Sequence, residues 1–579
     1  MNQGVKCASV RLPTARGAFR KVAHVKFNAI RNTLVPAFII SSAAWSAMAN
    51  AATGLVVWIE PSLHRVGMSD APGADAKVVL SAARGEYESF QIVTNGSPEG
   101  QHIVNVAVSD LKGPGGQVIP KTSFTLYREK YVYVKASSPN WGGSNKPMGP
   151  GWYPDALIPF TEPSTGKPLS GAPLTAVPCD VKASFNQPFW VDLEVPRSAE
   201  PGVYTGTYTV ISTQGSVTGP ISLTVWNFAL PKTPHLKSSF LFFQAGTLAA
   251  QRELLRNKVA PLSTSPKDQL SLMNESGLGA THTGPFSGAD IGNCKMSTAP
   301  SAEQFKALAA AQQPGLFLYD YSADEIGHCS NLYPTIRQWA YNMHQAGISN
   351  LISMSPTPEL YSDGSRTGRS AVDIWVLLPL MYNNSKAEVV KVLKKGDSVW
   401  SYNTLVQDAY SPKWLIDFDP INFRIQPGFI NQSLNLSGLL YWRVDKWPSD
   451  PWNNVNNAGT YSSANYPGEG MLVYPGQEVG VAGVVASMRL KWLRDGVEDY
   501  DYVQILKNLG KEDLAMQIAC SVGPDWTNWT RDHAKLYAAR QQLGEAINLI
   551  MNSRLKASNA ASSTGLSSAR KKVKPDSKS

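Results

Sequence analysis

Beyond the prolines at 231 and 234, short apolar runs of strand length alternate with helical runs. The strand-like runs are 238–243, 316–321, 351–354, 372–377, 398–402 and 439–442, and helical runs begin near 301, 332, 384 and 421. Strands separated by helices are too far apart in sequence to pair as hairpins, so they lie parallel. The number of repeats favours a (β/α)8 TIM-type barrel over an open doubly wound sheet. The pattern gives no second or third strand between residues 262 and 297.

One of these runs carries reactive groups. The stretch 315–328 reads Gly-Leu-Phe-Leu-Tyr-Asp-Tyr-Ser-Ala-Asp-Glu-Ile-Gly-His, an apolar strand that breaks into small residues and then presents Asp324 and Glu325. A buried barrel strand delivers acids to its C-terminal mouth in this way. An adjacent acid pair alone means little among 44 acidic residues; the context gives this one its weight. Residues 301–313 open with a Ser-x-x-Gln capping box, and 332–346 read as the next helix, so the order is helix, strand, acid pair, helix.

The region before the prolines has a different period. Phe189, Val191, Leu193 and Val195 alternate with Trp190, Asp192 and Glu194, and similar runs at 55–59, 78–81, 88–94, 203–210 and 221–226 end in turn residues. This is the pattern of a β-sandwich. Residues 139–177, rich in Pro and Gly, read as a long loop leaning towards the neighbouring domain. Past residue 484 the spacing is helical: Leu490, Leu493, Val497, Tyr500, Val503 and Leu506 make one apolar face. Glu498 and Asp499 then read as structural acids on its polar edge, partners for Arg489 and Arg494.

The expected organisation is a signal peptide at 1–51, a β-sandwich at 52–232, a (β/α)8 catalytic barrel at 233–483, a helical region at 484–555 and a disordered basic tail at 556–579. Residues 1–32 hold seven Lys or Arg and no acid, a short apolar core follows, and Ala49-Asn50-Ala51 offers a cleavage site. That apolar core is shorter than the ~20 residues a membrane helix needs, so export to the periplasm or beyond is expected, with no transmembrane segment. Of the +9 net charge, +7 lies in the leader and +6 in the segment from Met551, which leaves −4 for the body and argues against nucleic-acid binding.

Cys7 is expected to depart with the leader, leaving Cys179, Cys294, Cys329 and Cys520. Cys294 and Cys329, in loops flanking the acid strand, are the candidate disulfide for an exported protein. With no Cys-x-x-Cys, no metal site is expected; Glu325 and His328 have the i, i+3 spacing of a ligand pair, but Gly327 between them opposes a helix. No Gly-x-Ser-x-Gly, His-Glu-x-x-His or P-loop occurs, and no cofactor is expected.

The run Gly-Met-Leu-Val-Tyr-Pro-Gly at 470–476, followed by Ser-Met-Arg-Leu-Lys-Trp-Leu-Arg-Asp-Gly-Val-Glu-Asp-Tyr-Asp-Tyr at 487–502, resembles the C-terminal signature of glycoside hydrolase family 123-like proteins. Val-Asp-Ile-Trp-Val at 372–376, Val-Trp-Ser-Tyr at 399–402 and Gly-Leu-Leu-Tyr-Trp at 438–442 resemble its barrel strands. Gly-Glu-Tyr-Glu-Ser-Phe-Gln at 85–91 and Asn-Gln-Pro-Phe-Trp-Val at 186–191 resemble the preceding sandwich. The resemblance implies an N-acetyl-β-galactosaminidase working by substrate-assisted hydrolysis, in which the 2-acetamido oxygen of the sugar is the nucleophile. It makes Glu325 the general acid and then the base. It makes Asp324 the acceptor of the acetamide N–H. Ile326 stands where the family often has proline.

Aromatic residues at the ends of the later strands, Trp375, Trp442, Tyr402, Tyr441 and Trp400, are candidates for the walls of a sugar pocket, with a barrel core as the alternative. The expected partner is a glycan substrate. A non-catalytic glycan-binding or envelope-assembly protein on the same scaffold is the competing reading.

Overall fold

The computed structural model describes Cys7, residues 54–96 and residues 98–570, with side chains to residue 558. The expected signal peptide lies outside the described residues except for Cys7. Among the described residues no helix is long and apolar enough to cross a membrane.

Two antiparallel-rich sheets form the N-terminal sandwich. One runs in the order Val56–Pro61, Tyr87–Asn95, Asn186–Glu194, Phe124–Val134, Gly151–Pro159. The other is built on Val78–Arg84, Gly215–Ala229, Gly202–Ser212, Gln101–Val108 and Cys179–Val181. Phe189, Val191 and Leu193 enter the core between the sheets. The alternate residues are buried too, because a helix covers the outer face: Trp190 meets Trp492 edge-on at 6.4 Å and Asp192 pairs with Arg494 at 3.0 Å. Gly151–Pro159 falls inside the expected long loop and is instead an edge strand, where the missing N–H of Pro154 is tolerated. The rest of that loop does lean over the barrel: Asn145 Nδ2 donates to Asn422 Oδ1 and Met148 N to Asp417 O, both at 2.7 Å.

The second domain is a nearly closed barrel of seven parallel strands, numbered here within the barrel: β1 (Lys237–Phe240), β2 (Ala280–His282), β3 (Phe317–Ala323), β4 (Ser349–Ser353), β5 (Ile374–Leu377), β6 (Ser398–Tyr402) and β7 (Gly438–Tyr441). They lie in the order β1-β7-β6-β5-β4-β3-β2. The eight strands expected from sequence are therefore not all formed. Residues 260–262 fill the gap with a single bridge: Phe240 N donates to Ala260 O and Leu262 N to Phe240 O, both at 2.9 Å, and His282 N donates to Leu262 O at 2.8 Å. Ser301 caps the helix Ala302–Ala310 through the complete capping box expected. Two helices not read from the sequence precede β2: Leu248–Arg256, which buries Ala250, Leu254 and Leu255, and Pro266–Ser276, which buries Gln269 and Leu272.

The helix Met488–Asn508 runs between the domains and is buried on nearly every side rather than on one stripe. Its charges are met from both directions. Arg489 grips Asp155 of the sandwich at 2.7 and 2.9 Å, and Asp499 is held in a two-bond fork by Arg424 of the barrel at the same two distances. Glu498 accepts the backbone N–H of Tyr87 at 3.1 Å. Both acids thus occupy structural positions; Arg494 acts on Glu498 through its charge without a close ion pair, and the close partner of Asp499 is Arg424 rather than Arg489 or Arg494. The final helix, His533–Arg570, continues beyond residue 555, where a disordered tail was expected. An Ala-rich stretch extends a helix already nucleated at little cost.

Cys294 and Cys329 are joined, Cα to Cα 5.3 Å, tying together the loops on either side of the acid strand. Cys7 is joined to Cys520. That bridge and removal of Cys7 with a leader exclude one another.

Candidate active site

Side chains at alternate positions fill the barrel: Tyr319 and Tyr321 of β3, Leu351 of β4, Ile374 and Val376 of β5, Trp400 and Tyr402 of β6 and Leu440 of β7. Asp324 and Glu325 leave β3 at its C-terminal end, so they stand at the mouth. Both are partly exposed. Asp324 Oδ1 accepts Tyr321 OH at 2.5 Å and Ser353 Oγ at 2.6 Å. Among the described residues Oδ2 has no such partner. Ser353 also receives the backbone N–H of Glu325 at 2.8 Å, which fixes both acids to the end of β4.

Glu325 has φ 51°, the left-handed region that a residue with a Cβ seldom occupies. Its carboxyl is held above the ordinary glutamate range, first by burial and then by the negative charge of Asp324. Burial also pushes up the hydroxyls of Tyr321 and Tyr402, reinforced for both by the two acids. Two neighbouring carboxyls with different surroundings are the arrangement from which separate acid and acceptor roles arise.

The five aromatic candidates divide. Tyr402, one turn of the strand period above Trp400, lies among Tyr321, Asp324, Glu325 and Glu469, and its hydroxyl makes no hydrogen bond among the described residues. Trp442 is half-buried at the rim, edge-on to Tyr461 at 5.9 Å. Trp400 lies deeper and packs as barrel core, 5.7 Å from Tyr319 and directly against Gly438. Tyr441 points out of the barrel, its ring tilted against Trp414 at 5.4 Å and its hydroxyl accepting the N–H of Gly470 at 2.8 Å. Trp375 also points outwards. It is fully buried and its Nε1 donates to Asp397 at 3.2 Å, so it cannot line the mouth.

Glu469 was not singled out from sequence. It accepts Trp442 Nε1 at 2.7 Å, the N–H of Leu405 at 2.8 Å and Thr404 Oγ1 at 3.0 Å, and so sets the Trp442 ring against the mouth. Burial holds its carboxyl above the usual range against those bonds. Cys294, His328 and Cys329 bring ligand atoms together, but the two sulfurs are spent in the disulfide.

Residues 69–212 match the glycoside hydrolase 123 N-terminal domain and residues 369–506 the glycoside hydrolase 123 catalytic domain. A family 123 glycoside hydrolase from Clostridium perfringens superposes with a TM-score of 0.62 at 13% identity, over 87% of this chain and 100% of its own. The chain is a glycoside hydrolase family 123-like protein. Family membership supports glycoside hydrolase activity on glycans. No curated protein sequence matches it. A GH10 xylanase with a bacterial Ig-like domain from termite gut reaches a TM-score of 0.27 at 8% identity, over 53% of this chain and 87% of its own. A β-glucuronidase of Parabacteroides merdae reaches 0.22 at 10% identity, over 62% of this chain and 45% of its own. Neither bears on the family 123 assignment. In this family 123-like chain the matched catalytic segment begins after the acid pair and holds Trp400, Tyr402, Trp442 and Glu469.

Proposed function

We propose that Asp324 and Glu325 are the catalytic pair of an exported glycosidase that cleaves β-linked N-acetylhexosaminides, N-acetyl-β-galactosaminides foremost, through an oxazoline intermediate. The observation that carries this reading is the unequal setting of the two acids. Glu325 keeps its proton to higher pH, as a general acid must if it is to protonate the leaving oxygen. Asp324 has one oxygen tied to Tyr321 and Ser353, and its other oxygen is free to accept an acetamide N–H. In the first step the acetamide oxygen bonds to the anomeric carbon, the glycosidic bond breaks and the Glu325 proton goes to the departing oxygen. Asp324 offsets the positive charge of the ring so formed. In the second step ionised Glu325 takes a proton from water, which opens the ring with the original configuration at the anomeric carbon.

Tyr402 and Trp442 are assigned to the sugar, the one by its free hydroxyl and the other by its rim position. Export is supported by the Cys294–Cys329 bridge, since such bonds persist in oxidising compartments. A scaffold that binds glycans without cleaving them is the second reading, favoured by the matched catalytic segment starting only at residue 369. Screening chromogenic β-GalNAc, β-GlcNAc, β-galactoside and α-GalNAc substrates separates the two: turnover confined to the β-linked N-acetyl sugars supports the proposal, and turnover of none supports the scaffold.

A further inference from the structure

A large cleft lies away from the acid pair. About 1020 Å³ in volume, it lies where the sandwich meets the barrel and is lined by Lys121, Arg197, Lys232, Arg252, Arg256 and Lys258. Its barrel residues all belong to the end opposite the mouth: Lys232 precedes β1, and Arg252 and Arg256 lie in the last turns of the helix that returns from it. The site is therefore separate from Asp324 and Glu325.

Six cations face only two lining carboxylates, Glu194 and Glu275. Glu194 accepts the hydroxyl of Tyr87 at 2.7 Å, and Glu275 meets Arg252 at 3.2 Å. Among the described residues Lys121, Arg197, Lys232 and Lys258 have no ion-pair partner. The Nη1 of Arg256 lies 4.0 Å from a carboxylate oxygen of Glu253 and makes no hydrogen bond, while its Nη2 donates to Thr125 Oγ1 at 2.8 Å. The Nε of Arg252 is likewise unpartnered. Arg197 donates to Leu230 O, Lys232 to Asn274 O at 2.6 Å and Lys258 to Gly85 O at 3.5 Å, bonds that hold these side chains without cancelling their charge. Six cations against two carboxylates, on a body whose net charge is negative, form a local field for an anion. Hydroxyls of Thr122, Ser123 and Thr165 line the same walls.

We propose that this cleft binds an acidic saccharide segment, one bearing sulfate or carboxylate groups. Arginine forks and hydroxyl groups match anionic oxygens and sugar hydroxyls respectively. The volume is at the upper limit of the ~300 to 1,000 Å³ of small-molecule pockets, enough for several sugar units. A single-stranded nucleic acid is the less favoured occupant, because it needs exposed rings on which to stack and Tyr87 and Phe124 here are buried. The saccharide part of the proposal rests on the glycosidase reading; the anion part does not.

The test measures binding of four probes to the intact protein at low and at physiological salt: a sulfated oligosaccharide, a uronate oligosaccharide, a neutral oligosaccharide of equal length and a single-stranded oligonucleotide. The wild type is compared with the double variant Lys121→Glu, Lys232→Glu, both positions being exposed and the fold undisturbed. One or both acidic saccharides are expected to bind, more weakly as salt rises, and to lose about tenfold in affinity in the variant. Turnover of a small neutral aryl glycoside should be the same in both proteins. Binding is read without turnover, so an error in the catalytic assignment leaves this outcome untouched. No binding of either acidic saccharide, equal affinity in the variant, equal binding of the neutral probe, or tighter binding of the oligonucleotide would each overturn the proposal.

Discussion

Ser353 Oγ donates to Asp324 Oδ1 at 2.6 Å, across the join between β4 and β3. The same oxygen accepts the backbone N–H of Glu325. One small residue on the neighbouring strand thus fixes the orientation of both acids, and it leaves Glu325 without a hydrogen bond to its carboxylate among the described residues. Such a carboxylate is available to exchange a proton with a bound substrate, the role proposed for Glu325.

Glu325→Gln removes that proton and keeps the shape. Turnover of substrates with poor leaving groups should fall by ~10² to 10⁴-fold while binding persists. A steady-state comparison on a natural glycan is the check, and retention of more than about half of wild-type activity would contradict the assignment.

The same substitution has an opposite effect on stability. The folded protein holds the Glu325 proton more tightly than the unfolded chain, because burial and Asp324 raise its pKa. Stability from this group is therefore complete below the ordinary glutamate range and is lost as pH rises through the raised value. Glutamine has no charge to bury. Thermal unfolding should show Glu325→Gln melting above the wild type at neutral pH and not above it in acid; a lower melting temperature at neutral pH would oppose this account.

Trp442 and Trp375 should respond differently to truncation. Trp442→Ala opens the rim and is expected to raise KM about tenfold, the equivalent of ~1.4 kcal/mol, with modest loss of stability. Trp375→Ala empties a site in the packed layer outside the barrel and should cost ~3 to 5 kcal/mol of stability, leaving KM unchanged. Chemical denaturation beside substrate saturation curves tests both.

This contrast marks what the sequence could and could not tell. Ile374, Trp375 and Val376 alternate as a strand must, but alternation does not say which set faces inwards. Ile374 and Val376 fill the barrel and Trp375 is turned away. Trp400 and Tyr402 share the inward set, and only their depth decides that one is core and the other stands at the mouth. The acid pair was legible because its strand, its small residues and its flanking helices are contiguous. Glu469 was not, because its contacts with Thr404, Leu405 and Trp442 come from loops distant in sequence. The helix Pro266–Ser276 was missed for want of apolar period, Leu248–Arg256 because its one apolar face spans only 9 residues, and the edge strand Gly151–Pro159 because its prolines imitate a loop.

Asp499→Asn tests the structural half of the account. Arg424 and Asp499 are buried together between barrel and central helix, and removing the carboxylate that grips the guanidinium by two bonds, with only Asp495 left at 3.7 Å, should cost up to ~3 kcal/mol. The fraction that folds should turn over substrate at the wild-type rate. A well-folded variant with no activity would instead place the catalytic acids on this helix.

The central claim is that the nucleophile belongs to the substrate. Replacing the 2-acetamido group by hydroxyl, as in an aryl β-galactoside, removes the attacking atom, and Asp324 then has no N–H to accept. Bound proximity is worth roughly 7 to 11 kcal/mol of a barrier. The most direct measurement is kcat/KM on a matched pair, an aryl N-acetyl-β-galactosaminide and the aryl β-galactoside with the same leaving group. The account predicts ready hydrolysis of the first and none detectable of the second. Comparable values for the two would mean a protein nucleophile, and the roles given to Asp324 and Glu325 would fall.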